Sequence, residues 1–373
     1  MKYDISIKLE GKVIFASQLQ GLNAATQWKG YQTLPAYAQE VLNFCHEWLT
    51  GTEVFHQPTS GSTGKPKQIV LTRGQMIASA HMTAQALGLQ AGDRALLCLS
   101  AAYIAGKMML VRAMETGMAV EAVPPASQPL AHTSEAPDFM AVVPLQMKTM
   151  LDSGQKDIYQ QLNQMKAIIV GGAPVSSSLE KDIDFLNCPV YSTYGMTETV
   201  SHVALRRLNG PDKSDYYRIL PGIEVKQDQR ECLMVRGAVT QHQWLTTNDV
   251  VEMMDRQYFR WRGRADHVIN SGGVKIHIEE LEKKLEAGIQ ILGPDRRYFV
   301  AGLEDDKLGQ KVCLFVEGEP ASPKQLQDMQ EWWCNYLQVY ERPKKTYFIT
   351  RFVFTPTGKI SRTESILPFT EQH

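Results

Sequence analysis

The sequence is short of everything that a disulfide frame, a zinc site or a membrane span needs. Its six cysteines, Cys45, Cys98, Cys188, Cys232, Cys313 and Cys334, are scattered and form no CxxC pair, and its nine histidines lack metal-ligand spacing. Buried thiols in a reducing compartment are expected. No uncharged stretch is long enough to cross a bilayer. The N-terminus MKYDISIKLEGKVIF alternates charged and apolar residues where a signal peptide has a continuous apolar segment, so the expected location is cytoplasmic. Neither sign of charge is in excess: 39 Lys and Arg against 40 Asp and Glu leave a net −1. Nothing therefore draws the chain to nucleic acid or to an acidic membrane. Repeats, low-complexity tracts and Pro/Ser-rich linkers are missing as well. What remains is a 373-residue chain, 43% hydrophobic and 21% charged, able to bury a full core and suited to small-molecule partners.

Hydrophobic periodicity divides the chain by texture. Tyr3 to Phe15 alternates like strands and breaks at Glu10-Gly11, which predicts a hairpin. Val41, Leu42, Cys45, Trp48 and Leu49 are at helical spacing, with Gly51 as a stop. Ile69 to Leu71 is a β-branched run, and Thr72 then caps a helix that ends near Gly88. Apolar strands follow at Ala95 to Leu99, Phe139 to Val143 and Ala167 to Val170, each with a helix-compatible segment after it, as parallel α/β sheets require. From Gly222 to Trp261 short alternating runs predict a small antiparallel β-barrel. Beyond Arg264 a helix at Ile278 to Leu285, a hairpin of Tyr298 to Leu303 with Lys311 to Val316, and a long helix from Ser322 to Tyr340 predict a separate α+β domain. The expectation is an α/β protein with a large N-terminal domain over 1–263 and a small, mobile C-terminal domain over 264–373.

Four segments carry chemistry. Thr59-Ser60-Gly61-Ser62-Thr63-Gly64-Lys65-Pro66-Lys67 packs two glycines, four hydroxyls and two lysines into nine residues just before a strand. Amides and hydroxyls of such a loop can surround phosphate oxygens while lysine compensates charge. It is not a Walker A loop, which needs glycine at Thr59 and a hydroxyl at Pro66; a solvated surface turn reads the same way. Gly171-Gly172-Ala173-Pro174 leaves the strand Ala167 to Val170 where open α/β sheets bind ligands, although a plain strand-to-helix turn has the same composition. Tyr194-Gly195-Met196-Thr197-Glu198 ends a second apolar run. It offers a ring to a purine, a hydroxyl to phosphate and a carboxylate to Mg²⁺, or else an ordinary helix start. Thr355-Pro356-Thr357-Gly358-Lys359-Ile360-Ser361-Arg362 places one lysine in a Pro/Gly turn.

Together these segments resemble the adenylate-forming superfamily of acyl-CoA synthetases, adenylation domains and luciferases. The first resembles TSG[ST]TGxPKG, departing only at Gln68; the third resembles YGxTE and the last PTGKxxR. Trp244 to Asp249 resembles [YWF]xTGD with Asn248 for glycine. Gly263-Arg264-Ala265-Asp266 through Gly273 resembles GRxDDxIKxxG, with His267 and Asn270 at variant positions. The resemblance implies ATP, Mg²⁺ and coenzyme A as ligands, and a carboxylic acid as substrate. It also implies roles. Thr59 to Gly64 and Lys67 hold phosphates, Gly171 to Pro174, Tyr194 and Gly195 wall the adenine, and Thr197 touches the α-phosphate. Glu198 binds Mg²⁺, and Asp249 and Arg264 reach the ribose. Asp266 is the hinge, Gly272 and Gly273 border the pantetheine tunnel, and Lys359 bridges the acid carboxylate and the α-phosphate.

The implied reaction has two steps, formation of an acyl-adenylate with loss of pyrophosphate and then thioester formation with loss of AMP. The C-terminal domain swings between them. Only 58 residues precede the phosphate loop, fewer than relatives carry, so a shortened N-terminal subdomain is expected. Within the superfamily the stretch Met196 to Arg207 resembles the o-succinylbenzoate:CoA ligases of menaquinone biosynthesis. Such a dicarboxylate calls for a cation or hydroxyls, with Lys107, Ser201, His202 and Arg206 as candidates and Tyr103 as an aromatic gate. Another aryl-acid:CoA ligase, an amino-acid adenylating enzyme and a non-catalytic nucleotide-binding relative keep the same motifs. The amino-acid enzymes normally carry Asp just after the gate, where Ile104-Ala105-Gly106 stands.

Overall fold

The structure, a computed structural model, describes residues 3–58, 68–133, 135–293, 296–354 and 360–370. The chain forms two compact units. The first comprises Met1–Lys226, Met234–Thr246 and Met253–Arg260; the second comprises Gln227–Leu233, Thr247–Glu252 and Trp261–His373.

In the first unit β1 (Ser6–Leu9) and β2 (Lys12–Phe15) make the expected hairpin, with Glu10 and Gly11 both at positive φ in its two-residue turn. A separate ribbon pairs β3 (Val54–Pro58) with β4 (Gln68–Thr72). The main sheet adds β5 (Arg94–Leu97), β6 (Ala119–Ala122), β7 (Phe139–Val142), β8 (Ala167–Val170), β9 (Val190–Gly195), β10 (His202–Arg207) and β11 (Tyr217–Ile219). Its order runs β2-β1-β6-β5-β7-β8-β9-β10-β11. All pairs from β1 to β9 are parallel, and the pairs of β10 with β9 and β11 are antiparallel. β7 and β8 are buried at every position, as parallel strands covered on both faces must be. Burying one such Val or Ile contributes about 1.5–3 kcal/mol. The chain passes from β5 to β6 on one side and then to β7 on the other, so the sheet reverses at β5. Ligands of open α/β sheets bind outside the carboxyl ends of strands at such a reversal.

Local signals explain the flanking helices. Thr72 caps Arg73–Leu87 in a reciprocal box: Gln75 N donates to Thr72 Oγ1 (3.3 Å), and Thr72 N donates to Gln75 Oε1 (2.9 Å). Gly88, at φ 66, ends that helix. The segment expected from Gly222 as a small antiparallel β-barrel forms β12 (Glu224–Gln227), β13 (Cys232–Arg236), β14 (Leu245–Met253) and β15 (Tyr258–Arg264), which extend the main sheet beyond β11 in the order β15-β14-β13-β12. The residues of these four strands are divided between the two units.

The second unit carries β16 (Val268–Ser271), β17 (Val274–His277), β18 (Tyr298–Asp305), β19 (Gly309–Glu317) and β20 (Lys345–Ile349). The helices Ile278–Ile289 and Pro323–Tyr336 close its core around Ile269, Leu285, Val300, Leu314 and Trp333. The long helix stops at Tyr336, four residues before the expected Tyr340. Leu337 turns extended, and Arg342 donates to the carbonyls of Leu337 and Cys334, so a side chain caps the end that a glycine would otherwise close. All six cysteines are free; five are buried, while Cys334 is exposed, contrary to expectation, on the outer face of this helix. No helix among the described residues is long and apolar enough to cross a membrane.

Candidate active site

Two of the predicted segments sit side by side at the carboxyl edge of the parallel sheet. Gly171 to Pro174 leave β8, and Tyr194 and Gly195 end the neighbouring β9, with Val170 in register with Ser192. A Cβ on Gly171 would lie 2.3 Å from Thr193 Oγ1, and Gly172 has φ 81, so both positions need glycine. The main chain is thereby bare at the strand end, while Ala173 and Pro174 are exposed. The Tyr194 ring is buried edge-on against Tyr217 and Phe259, with centroids 5.9 and 5.1 Å away.

Thr197 and Glu198 lie on a tight turn between β9 and β10. Thr199 Oγ1 ties this turn together: it accepts from Met196 N (3.0 Å) and lies 3.0 Å from Met196 O and 2.8 Å from Ser201 O. Ser201 N donates to Thr199 O at 2.7 Å across Val200, which stands at φ 67 and ψ −58. This is a γ-turn of positive φ, and a β-branched residue there costs about 1–3 kcal/mol. Gly195 permits the closure, because a Cβ there would lie 2.3 Å from Ser201 O and 2.5 Å from His202 Cα.

Behind the turn runs a buried polar chain. Arg112, 1% exposed, donates through Nη2 to Ser201 Oγ (2.8 Å). Ser201 Oγ is 3.3 Å from His202 Nδ1, and His202 Nε2 is 3.0 Å from Thr83 Oγ1, which donates to Ser79 O (3.1 Å). Burial, and then the Arg112 charge, hold His202 well below its usual range, so the ring is neutral. One direction is consistent along the chain: Arg112 Nη2 to Ser201, Ser201 to Nδ1, Nε2–H to Thr83, Thr83 to Ser79 O. Burial lowers Arg112 to about 10, which leaves it charged at neutral pH. Among the described residues no carboxylate pairs with it; its remaining contact is Met109 Sδ at 3.7 Å, and Nε has no partner. Burying a guanidinium in this way costs several kcal/mol.

The acid-side candidates are not alike. Tyr103 is 66% exposed. Lys107 Nζ donates to Gln57 Oε1 at 2.9 Å, and burial lowers its pKa. Gln57, 2% exposed, is the penultimate residue of β3. Arg206 is committed to Glu180, so its charge is already compensated. Ser201 and His202 belong to the Arg112 chain, which sequence reasoning missed. The available signal was an arginine set inside the apolar run Met108 to Met114.

In the second unit Asp249 Oδ1 accepts from Trp261 Nε1 (3.2 Å). Arg264 and Asp266 form a two-pronged pair at 2.9 and 3.0 Å, and the hydrogen bond from Arg264 holds the Asp266 carboxyl below its ordinary range. Gly272 and Gly273, at φ 59 and 83, form the two-residue turn between β16 and β17, a geometry that by itself demands glycine. The Thr59 to Lys67 loop and Lys359 lie outside the described residues. Their flanks are paired, Pro58 with Gln68 and Phe354 with Ile360. Among the described residues no group of three or more His, Cys, Asp or Glu could hold a metal alone. The half-exposed carboxylate of Glu198 suits Mg²⁺, which takes one or two carboxylates together with nucleotide phosphates.

The profile of the AMP-binding enzyme family matches residues 25–238. The chain belongs to this family and is an adenylate-forming acid–thiol ligase. It is similar to a 2-succinylbenzoate–CoA ligase of Bacillus cereus, 26% identical over 337 residues, with 82% of this chain and 68% of that ligase covered. The structure of an acyl-CoA synthetase (AMP-forming)/AMP-acid ligase II-like protein from Dyadobacter fermentans is 41% identical with TM-score 0.60, covering 92% of this chain and 98% of that one. The o-succinylbenzoate CoA synthetase of Bacillus subtilis, solved with its acyl-adenylate intermediate and also with ATP and magnesium ion, is 23% identical with TM-score 0.69, covering 83% of this chain.

Proposed function

We propose that this ligase converts o-succinylbenzoate to o-succinylbenzoyl-CoA, the step that menaquinone synthesis uses. The observation that carries the reading is the Gly171–Gly172 strand end lying beside the Tyr194–Glu198 turn, in a chain similar to 2-succinylbenzoate–CoA ligase over 82% of its length. A carboxylate oxygen of the acid attacks the α-phosphorus of ATP and the bond to pyrophosphate breaks. The thiolate sulfur of coenzyme A then attacks the acyl carbon, and AMP leaves.

Thr59 to Gly64 and Lys67 hold the phosphates, Tyr194 and Gly171 to Pro174 flank adenine, Thr197 bonds the α-phosphate, and Asp249 and Arg264 take the ribose. Glu198 would hold Mg²⁺, which when bound offsets the phosphate charge. Lys359 stabilises charge in the first step. Asp266 is the hinge about which residues 264–373 exchange Lys359 for Gly272 and Gly273. Lys107 is the cation offered to the second carboxylate, since its partner Gln57 is neutral whereas Arg206 already has Glu180.

Pyrophosphate release with Mg-ATP, with and without coenzyme A, against o-succinylbenzoate, benzoate, a fatty acid and an amino acid tests the reading. Turnover confined to o-succinylbenzoate is expected. Preference for another acid overturns the substrate while leaving the class intact.

A further inference from the structure

We propose that Arg112, acting through Ser201, is a positioning residue that holds Thr197 and Glu198 in place before any ligand arrives. The inference rests on the reading that these two residues serve phosphate and metal.

A guanidinium 1% exposed with no carboxylate partner among the described residues is a poor core element, because an apolar side chain would fill the same space without desolvating a charge. Its one strong bond goes to Ser201 Oγ, and Ser201 closes the strained γ-turn over Val200. Without that bond the backbone strain of Val200 at φ 67 is opposed only by the burial of its side chain and by the bonds within the turn. The other anchors are on the near side: Thr199 Oγ1 ties the turn to itself, and Gly195 lets β10 begin in contact with the end of β9. Arg112 reaches the turn from a different element, the helix Ile104–Thr116, and Thr83 on Arg73–Leu87 holds the far end of the chain through His202. The turn is thus referred to two helices of the sheet's cover, and its hydroxyl and carboxylate keep one geometry. A catalytic site gains from such preorganisation because nothing need reorder during reaction.

The test combines amide hydrogen exchange of the metal-free protein with the Mg²⁺ dependence of pyrophosphate release. Ser201→Ala should speed exchange at 196–201 about five- to tenfold and raise the Mg²⁺ half-saturation concentration by a similar factor, with the KM for the acid within about twofold. Val200→Gly, which fits positive φ without strain but loosens the turn, should raise the Mg²⁺ requirement and speed exchange at 196–201, with a lower melting temperature because a fully buried side chain is lost. Arg112→Lys should recover part of what Arg112→Met loses; if Arg112→Met does not fold, the other two variants decide. Unchanged exchange and unchanged Mg²⁺ dependence in both Ser201→Ala and Val200→Gly overturn the proposal. So does a higher acid KM in Ser201→Ala without faster exchange, which would make Ser201 a substrate contact. Glu198→Gln separates the two readings. If it leaves the Mg²⁺ dependence unaltered, the metal role of Glu198 fails, and exchange in Ser201→Ala still judges the positioning.

Discussion

Arg112 in the first unit and Arg264 in the second solve opposite problems. Arg112 is 1% exposed, has no carboxylate partner among the described residues, and spends its charge on one hydroxyl. The Arg264 side chain is 30% exposed and grips Asp266 with two bonds. A buried charge is expensive to place and does not exchange partners, whereas an exposed pair is screened and easily remade. Groups proposed to stay fixed through both half-reactions hang on the first kind of arginine. Groups proposed to trade places hang on the second.

The largest expected effect divides the two regions by reaction step. Lys359→Ala should slow adenylation about 100-fold or more, roughly 3 kcal/mol, with the melting temperature unchanged. Thioester formation from supplied acyl-adenylate should stay within a few-fold, and an equal loss in both steps would break the division. Glycines give the next contrast. Gly195→Ala puts a Cβ 2.3 Å from backbone, so β9 and β10 must part, at about 2–3 kcal/mol by denaturant unfolding. At Gly273 a Cβ meets nothing within 4 Å, and Gly273→Ala costs only its positive φ, about 1 kcal/mol. Equal costs would mean that the β9–β10 contact yields more readily than its geometry suggests.

Much of this was legible in the sequence, for reasons that differ by region. β7 and β8 read as strands because burial on both faces leaves four-residue apolar runs, and Thr72 read as a cap because its hydroxyl stands between a β-branched run and a helical pattern, where the structure adds the reciprocal bond of Gln75. The end of the long helix was not legible, since the carbonyls are capped by Arg342 from beyond it and no glycine marks the stop. Gly171 and Gly195 stood out within motifs, although the close approaches that require them involve Thr193 and Ser201 on other segments. Ser201 and His202 attracted notice as polar residues beside a motif, but their partner Arg112 lies 89 positions from Ser201, and no local pattern ties the two. Local order is written in neighbours; a buried polar chain is written in tertiary contacts.

The chain behind the turn also predicts a pH response. His202 is neutral in the fold because burial, then Arg112, depress its pKa, whereas the unfolded ring titrates near about 6.5. The unfolded state therefore binds the extra proton first. Stability from this group is fully present above about pH 6.5 and falls as pH drops from there toward the folded value, by up to about 1.4 kcal/mol per pH unit. His277 in the second unit is shifted the same way by burial, so wild type must be compared with His202→Gln. Calorimetry between pH 7 and 5 should show a shallower decline in the variant; parallel curves would mean that the ring titrates normally.

The smallest effect is expected at the surface pair. With side-chain exposures of 30% and 38%, Arg264 and Asp266 should contribute less than about 1 kcal/mol, so Asp266→Ala should barely move the melting temperature, and less still at high salt. Because Arg264 holds the Asp266 carboxyl below its ordinary range, that small contribution exists above the usual carboxylate pKa and disappears as pH falls through the folded value. A loss well above 2 kcal/mol, insensitive to salt and persisting in acid, would make the pair a structural lock. It would then be as unable to exchange partners as Arg112, and the assignment of Asp266 as a hinge would have to be abandoned.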